Sequence, residues 1–421
     1  MKKYLIIKNA KQLLTLKGFS DRPKIKKEMA DLGIIENGAI VCADERIVSV
    51  GKEFDLENLE DFNPKLVEWI DASGKVAMPG FIDCHTHLIF AGNRADEFSE
   101  KIKGTPYLEI LAKGGGILST VKKTRKALSE NWAGLKEDCL KRMSRALKFG
   151  TTTMEAKSGY GLDLKSEMDI LKMIDELNKN HPVDLVPTLL GAHTIPEEYK
   201  NNRVGYLNLI FKMIKAAKDK KLAEFCDVFC EKNAFSLSET RKILEAAKKA
   251  GLKLKIHAGQ FNDLGAVELG VKLGATSIDH LEKISERGIK VMAKTKTIGV
   301  LLPGCEFHLG TRNYAPARKM IEAGVPIALA SDFNPGSSPT LSIPEISALA
   351  CRELNLTAEE IISAIMINAA HAISQAKEIG SLEPGKKADI IILDIGDYKE
   401  LPYWFGMNPV CRVIKNGKVI I

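Results

Sequence analysis

No stretch of about 18 apolar residues occurs in this chain of 421 residues, so no membrane-spanning helix is expected. Met1 to Ala10 show neither the long apolar core nor the small-residue cleavage site of a signal peptide, and none is expected. The 8 cysteines follow no repeated spacing of a disulfide or zinc-ribbon kind. Cys226 and Cys230 share one apolar run, but in a strand they would stand about 13 Å apart, too far to share a metal, so they read as packing. Aromatic residues are only 6% of the chain and do not interleave with the basic ones. The net charge of +7, from 61 basic and 54 acidic residues, is spread over helical stretches such as Lys212 to Lys221. That pattern is a solvated helix face and argues against nucleic acid as a partner. Together these absences point to a reducing, cytoplasmic compartment and a small-molecule substrate, with at most a modest pull on anions.

What is present is an ordinary globular composition, 45% hydrophobic and 27% charged. The length suits a barrel of about 250 residues plus an accessory unit. Short alternating runs at Lys3 to Asn9, Gly38 to Cys42 and Ile47 to Gly51 read as strands broken by Gly, Asp and Asn. The other end has the same character. Ala388 to Asp394 reads as a buried strand, and Val410 to Ile414, Asn416-Gly417 and Lys418 to Ile421 as a hairpin. Two β-rich ends around one long block predict a composite small β domain, residues 1–78 with 380–421, the Pro-Gly segment Gly380 to Gly385 marking the return.

Residues 79–379 alternate strand and helix. An apolar strand ending in Cys84-His85-Thr86-His87 comes first. A long connection containing Gly114 to Gly116 leads into a helix at about 130–148. The second strand is Gly150 to Ser158, and a helix near 165–180 follows it. Six more strands are expected at Asp184 to Thr194, Phe225 to Glu231, Leu252 to Gln260, Ser277 to Glu282, Thr297 to Cys305 and Pro326 to Asn334. Eight strands alternating with helices predict a (β/α)8 TIM barrel, with a small β-sandwich domain built from both chain ends. A doubly wound sheet is the alternative, but no Gly-x-Gly-x-x-Gly follows the first strand.

In such a barrel the chemistry lies at the C-terminal ends of the strands. His85 and His87 end strand 1, and as i and i+2 positions they face one way. His193 ends strand 3, His257 strand 5 with Gln260 after it, Asp279-His280 strand 6, and Asp332 strand 8. His308 falls just past strand 7, His181 precedes a proline and reads as exposed, and His371 on an Ala-rich helix reads as packing. Neutral imidazoles and a carboxylate are borderline metal ligands, and His85, His87, His257 and Asp332 make one set with room for a water.

The His-x-His on strand 1, the histidines on strands 5 and 6 and the aspartate on strand 8 resemble the amidohydrolase superfamily. Gly80 to Arg94, Lys157 to Gly161, Gly191 to His193, Asp279 to Glu282 and Asp332 to Pro339 are similar to its cyclic-amide hydrolases of histidine degradation. The likeness runs from about residue 78 to the end. It implies one zinc or iron ion per subunit on His85, His87, His257 and Asp332. The implied substrate is 4-imidazolone-5-propanoate, opened by water to N-formimidoyl-L-glutamate. Substrate contacts carry over to Arg94, Tyr160, His193, Gln260, Asn334, Gly336 and Ser337. Arg94 would clamp the propanoate carboxylate with its planar fork, and His193 would donate to the developing oxyanion. A homodimer is also implied.

Deaminases of the superfamily carry Glu where this chain has Gln260, and an amide cannot shuttle a proton. The shuttle is therefore expected at Asp332, with His280 as orienter or second base. A second metal would need a modified lysine near the end of strand 4, where Lys232 lies. A deaminase of the same fold and a barrel without catalysis remain the competing readings.

Overall fold

The computed structural model describes residues 2–53, 63, 66–105, 109 and 115–421. Gly114, part of the glycine loop expected near the site, lies outside the described residues.

Two sheets organise the chain. The first is a mixed sheet made by the chain ends: β1 (Tyr4–Leu14), β2 (Ile34–Ala43), β3 (Arg46–Gly51), β4 (Val67–Asp71) and β5 (Val76–Pro79) join three late strands. Those strands are β14 (Ile390–Leu393), β15 (Val410–Lys415) and β16 (Lys418–Val419). Strand β14 pairs antiparallel with β5, which ties the two termini together. This is the small β-sandwich unit that the patterning of both ends predicts. One inner face packs Leu5, Ile7, Leu13, Ile40, Ile390 and Ile414. The Asn416-Gly417 turn has φ of 49° and 71°, the two positive values that a type I′ hairpin needs.

The second sheet holds eight parallel strands in sequential order: β6 (Phe81–Asp83), β7 (Thr151–Lys157), β8 (Asp184–Ala192), β9 (Phe225–Cys230), β10 (Lys253–Ala258), β11 (Ser277–His280), β12 (Ile298–Leu301) and β13 (Ile327–Leu329). Helices lie between successive strands, giving the (β/α)8 barrel. The ring closes through a Thr86–Phe333 bridge and two backbone bonds, Asp332 N–H to His85 O at 3.1 Å and His87 N–H to Phe333 O at 2.9 Å. The residues that seal the barrel are thus the neighbours of the expected ligands.

Several boundaries differ from the sequence reading. The strand expected to run through Pro79 into the histidines is two elements: Pro79 pairs with Ile390 in the small sheet, and the barrel strand covers only Phe81–Asp83. Strands β4 and β5 lie in the β-rich N-terminal stretch, where the pattern predicts no separate strand at Val67–Asp71 or at residues 76–78. The seventh strand stops at Leu301, and Cys305 sits in the helix Pro303–Leu309, started by a proline at its first turn. The helix expected from 130 starts at Trp132 because the Asn131 side chain accepts from Gly134 N–H as its cap. An earlier helix, Ile117–Glu130, precedes it. The segment after β1 leaves the small sheet altogether: Leu16, Met29 and Leu32 join the barrel's core. Ser363 Oγ donates to Met29 O at 2.7 Å and Lys24 N–H to Asn368 Oδ1 at 2.8 Å, fastening that segment to the barrel.

Candidate active site

Five imidazoles meet at the C-terminal mouth of the barrel. The ring of His85 lies 4.6 Å from that of His257 and 5.4 Å from that of His87, centre to centre. His280 is 5.3 Å from His257, and His193 stacks on His87 at 5.0 Å. One ring nitrogen from each of His85, His87 and His257 falls within a 4.8 Å set. Asp332 Oδ1 sits 3.4 Å from His85 Nε2 and 3.5 Å from His87 Nε2. The sequence-predicted set of three histidines and one aspartate therefore converges on one point.

The set fits a metal ion on its own chemistry. His85 Nε2 and His257 Nε2 are buried without a hydrogen-bond partner among the described residues. Burial holds His85, His87 and His257 below the usual imidazole range, so each presents a lone pair and no charge. Burial pushes the Asp332 carboxyl up to about 7. Four desolvated donors around one focus are what a cation compensates.

The far nitrogens of two of these rings face carboxylates. His85 Nδ1 is 2.6 Å from Asp279 Oδ2, and His257 Nδ1 is 3.0 Å from Asp227 Oδ2. The Asp279 contact is a hydrogen bond that puts the proton on His85 Nδ1 and aims Nε2; at His257 Nδ1 the carboxylate is close but lacks hydrogen-bond geometry. A second cluster of donor type, His85 with Glu155 and Asp279, lies deeper. Two ammonium groups already occupy it: Lys255 Nζ is 2.9 Å and Lys157 Nζ 2.9 Å from Glu155 Oε2. Lys232, the residue weighed for a second metal, is exposed.

Asp227, Glu155 and Lys255 were missed by the sequence reading, and Lys157 and Asp279 were quoted only as motif residues. A signal was available. Glu155 and Lys157, and likewise Lys255 and His257, stand at i and i+2 of one strand, so each pair points to the same face.

The substrate-contact candidates are also brought to the mouth, with three corrections. First, His193 Nδ1 lies 3.0 Å from Gly159 O, and a carbonyl only accepts, so Nδ1 carries the proton. Burial pushes His193 down to about 3, which leaves the ring neutral and Nε2 an acceptor. It cannot serve as the oxyanion donor expected of it. Second, the Nε–Nη2 edge of Arg94 is taken by Glu97, with Nε donating to Oε2 at 2.9 Å and Nη2 to Oε1. Only the Nη1–Nη2 edge remains for a carboxylate. Nη1 would stand 2.1 Å from a Cβ at position 336, so Gly336 is what lets the guanidinium reach this place. Third, the Asn334 amide is spent inside its own turn. It donates to Asp332 O at 2.7 Å and Ser337 Oγ at 2.9 Å, and accepts from the N–H groups of Gly336 and Ser337, both at 2.8 Å. Asn334 shapes the turn that holds Asp332 at a φ of 51° and has no side-chain valence left for a substrate.

Tyr160 is buried 5.4 Å from the His193 ring, and burial raises its phenol, keeping it a neutral O–H donor. The Gln260 amide N–H donates to Cys305 Sγ at 3.4 Å, which turns its oxygen away from Cys305. Burial lowers His280, but Glu282, with Oε1 3.6 Å from Nδ1, outweighs this with help from Asp332 and Asp279 and raises it above its ordinary value. His280 is therefore the imidazole of the five most disposed to carry a proton. Its φ of 82° is a conformation a non-glycine residue adopts only under constraint.

The remaining histidines are structural. His181 is half-buried, not exposed as expected, with Nε2 3.1 Å from Ser144 Oγ, and His371 Nε2 donates to Phe19 O at 2.8 Å. His308 stacks on Phe98 at 4.7 Å.

The Amidohydrolase family model matches residues 76–420. The chain belongs to the amidohydrolase family. Relatives named imidazolonepropionase are similar to it along nearly their whole length. The one from Alkaliphilus oremlandii is 49% identical over 99% of this chain and 97% of its own. The one from Alkaliphilus metalliredigens is 46% identical over 99% and 98%. Among solved structures, an adenosine deaminase from Xanthomonas campestris with bound zinc superposes with a TM-score of 0.70 at 16% identity, covering 99% of this chain and 92% of that one. At that identity the likeness shows the fold alone. The family and the His/Asp donor set support a bound metal.

Proposed function

We propose that this chain hydrolyses the cyclic amide of 4-imidazolone-5-propanoate, giving N-formimidoyl-L-glutamate, with one zinc or iron ion per subunit on His85, His87, His257 and Asp332. The observation that carries the reading is the approach of Asp332 Oδ1 to both His85 Nε2 and His87 Nε2, at 3.4 and 3.5 Å, in a chain whose relatives are named for this activity. When bound, the ion supplies Lewis-acid polarisation of the carbonyl and a water made acidic, its pKa lowered from 15.7 to about 7.

The rest is done by side chains. The free edge of Arg94, with Tyr160 beside it, takes the propanoate carboxylate. Gln260 and His193 Nε2 meet the flat ring, His193 accepting a ring N–H. The turn at Gly336 and Ser337 forms the wall behind it. Water adds its oxygen to the carbonyl carbon and the ring carbon–nitrogen bond breaks. Asp332 takes the water's proton and passes it to the leaving nitrogen, while His280, held toward its charged form by Glu282, supports the developing negative charge. Gln260 cannot ionise, which speaks against the deaminase alternative. The division at residues 78/79 and 379/380, a homodimer and a cytoplasmic location belong to the same reading. Among the described residues no helix is long and apolar enough to cross a membrane. Incubating purified protein with the substrate and following loss of the imidazolone tests the proposal; ammonia release from guanine, adenine or cytosine would instead favour the deaminase.

A further inference from the structure

Below the histidines the barrel interior holds charges that the chemistry above does not use. Lys157 Nζ lies 2.7 Å from Asp227 Oδ2 and 3.7 Å from Asp279 Oδ2. Lys255 Nζ lies 2.9 Å from Glu155 Oε2 and 3.8 Å from Asp279 Oδ2, and donates to Cys84 O at 2.8 Å. All of these side chains are fully buried. Within this array two ammonium groups face three carboxylates, Asp227, Asp279 and Glu155. Buried charges persist only when paired, and here the two lysines do the pairing.

We propose that Lys157 and Lys255 are positioning residues of the metal centre. Their ammonium groups anchor Asp227 and Asp279 beside Nδ1 of His257 and His85, which orients both rings so that Nε2 faces the metal site. Outer partners of metal-ligating histidines typically contribute 10–100-fold in affinity. The lysines reach the metal one step further out, through the carboxylates. The inference rests on the proposed metal-dependent reading, but its readouts do not involve turnover.

The test is zinc affinity, measured by chelator competition on apoprotein, for wild type, Lys157→Met, Lys255→Met and Lys415→Met. Lys415 is the control: it is equally buried and pairs with Asp389 at 2.6 Å and Asp184 at 2.8 Å, but it belongs to the small sheet. The two barrel variants should bind zinc ~10–100-fold more weakly. Lys415→Met should lower only thermal stability. Folded barrel variants with wild-type zinc affinity would overturn the proposal. Should they fail to fold, 15N-histidine spectra of the metal-free wild type decide: His85 and His257 must be protonated on Nδ1, and protonation on Nε2 would overturn it. A wild type that binds no zinc or iron at all would count against the functional reading itself.

Discussion

Glu97 holds Arg94 by the Nε–Nη2 edge and, through the same carboxylate, accepts the N–H of Gly116 at 2.8 Å. One residue thus aims the guanidinium and anchors the start of the helix Ile117–Glu130. Glu97→Gln should raise the Michaelis constant for the carboxylate substrate by ~10-fold, since a charge-assisted bond is worth about 1.5–3 kcal/mol, and leave turnover nearly intact. Arg94→Lys, which keeps charge but loses the fork, should do the same or more. Steady-state kinetics in which Glu97→Gln lowers turnover alone would be the wrong outcome.

The same pair sets a pH window. Burial raises Glu97, but Arg94 and the Gly116 N–H outweigh it and hold the carboxyl at about 2, below its ordinary 4.5. A depressed folded-state value contributes stability that is present above 4.5 and is lost as pH falls toward 2. Hydrogen exchange in the helix Ala95–Ile102 should therefore rise over that interval in wild type. In Glu97→Gln it should be raised already at neutral pH and show no such step.

His193 is expected to act as an acceptor. His193→Phe retains stacking on His87 but has no ring nitrogen, and should lose ~10–100-fold in kcat/KM with metal content unchanged, the cost of about 1–3 kcal/mol for an unmatched polar group. The acid limb of the pH profile should stay where it is, because His193, held near 3, does not titrate there. A displaced acid limb would return His193 to the role of proton donor.

Asp332→Asn and Gln260→Glu should separate proton transfer from binding. The first should reduce turnover by ~10²–10⁴-fold even in protein that still holds metal. The second should mainly weaken substrate binding by setting a charge against the ring. A metallated Asp332→Asn enzyme with near-normal turnover would move the role to His280.

The sequence carried the barrel and its ligands because both leave local patterns in the chain. An i, i+2 pair such as His85 and His87 is visible without knowing what surrounds it, and so is the alternation of strand and helix. Interactions between distant segments are not visible in this way. Nothing local says that Glu97 will occupy one edge of Arg94, that Gly159 O will claim the Nδ1 proton of His193, or that Asn334 will be consumed by its own turn. The short barrel strands misled for a related reason. Phe81–Asp83 ends before the histidines, and pairing with the closing turn at Phe333, not strand continuity, sets their direction.

The most direct test is hydrolysis of 4-imidazolone-5-propanoate by purified protein with metal measured on the same sample, before and after chelation and for His85→Ala. The account predicts about one zinc or iron per chain, turnover that vanishes with the metal and returns on adding it back, and neither metal nor turnover in His85→Ala. Turnover that persists in metal-free protein, or a fully metallated wild type that leaves this substrate untouched, would contradict it.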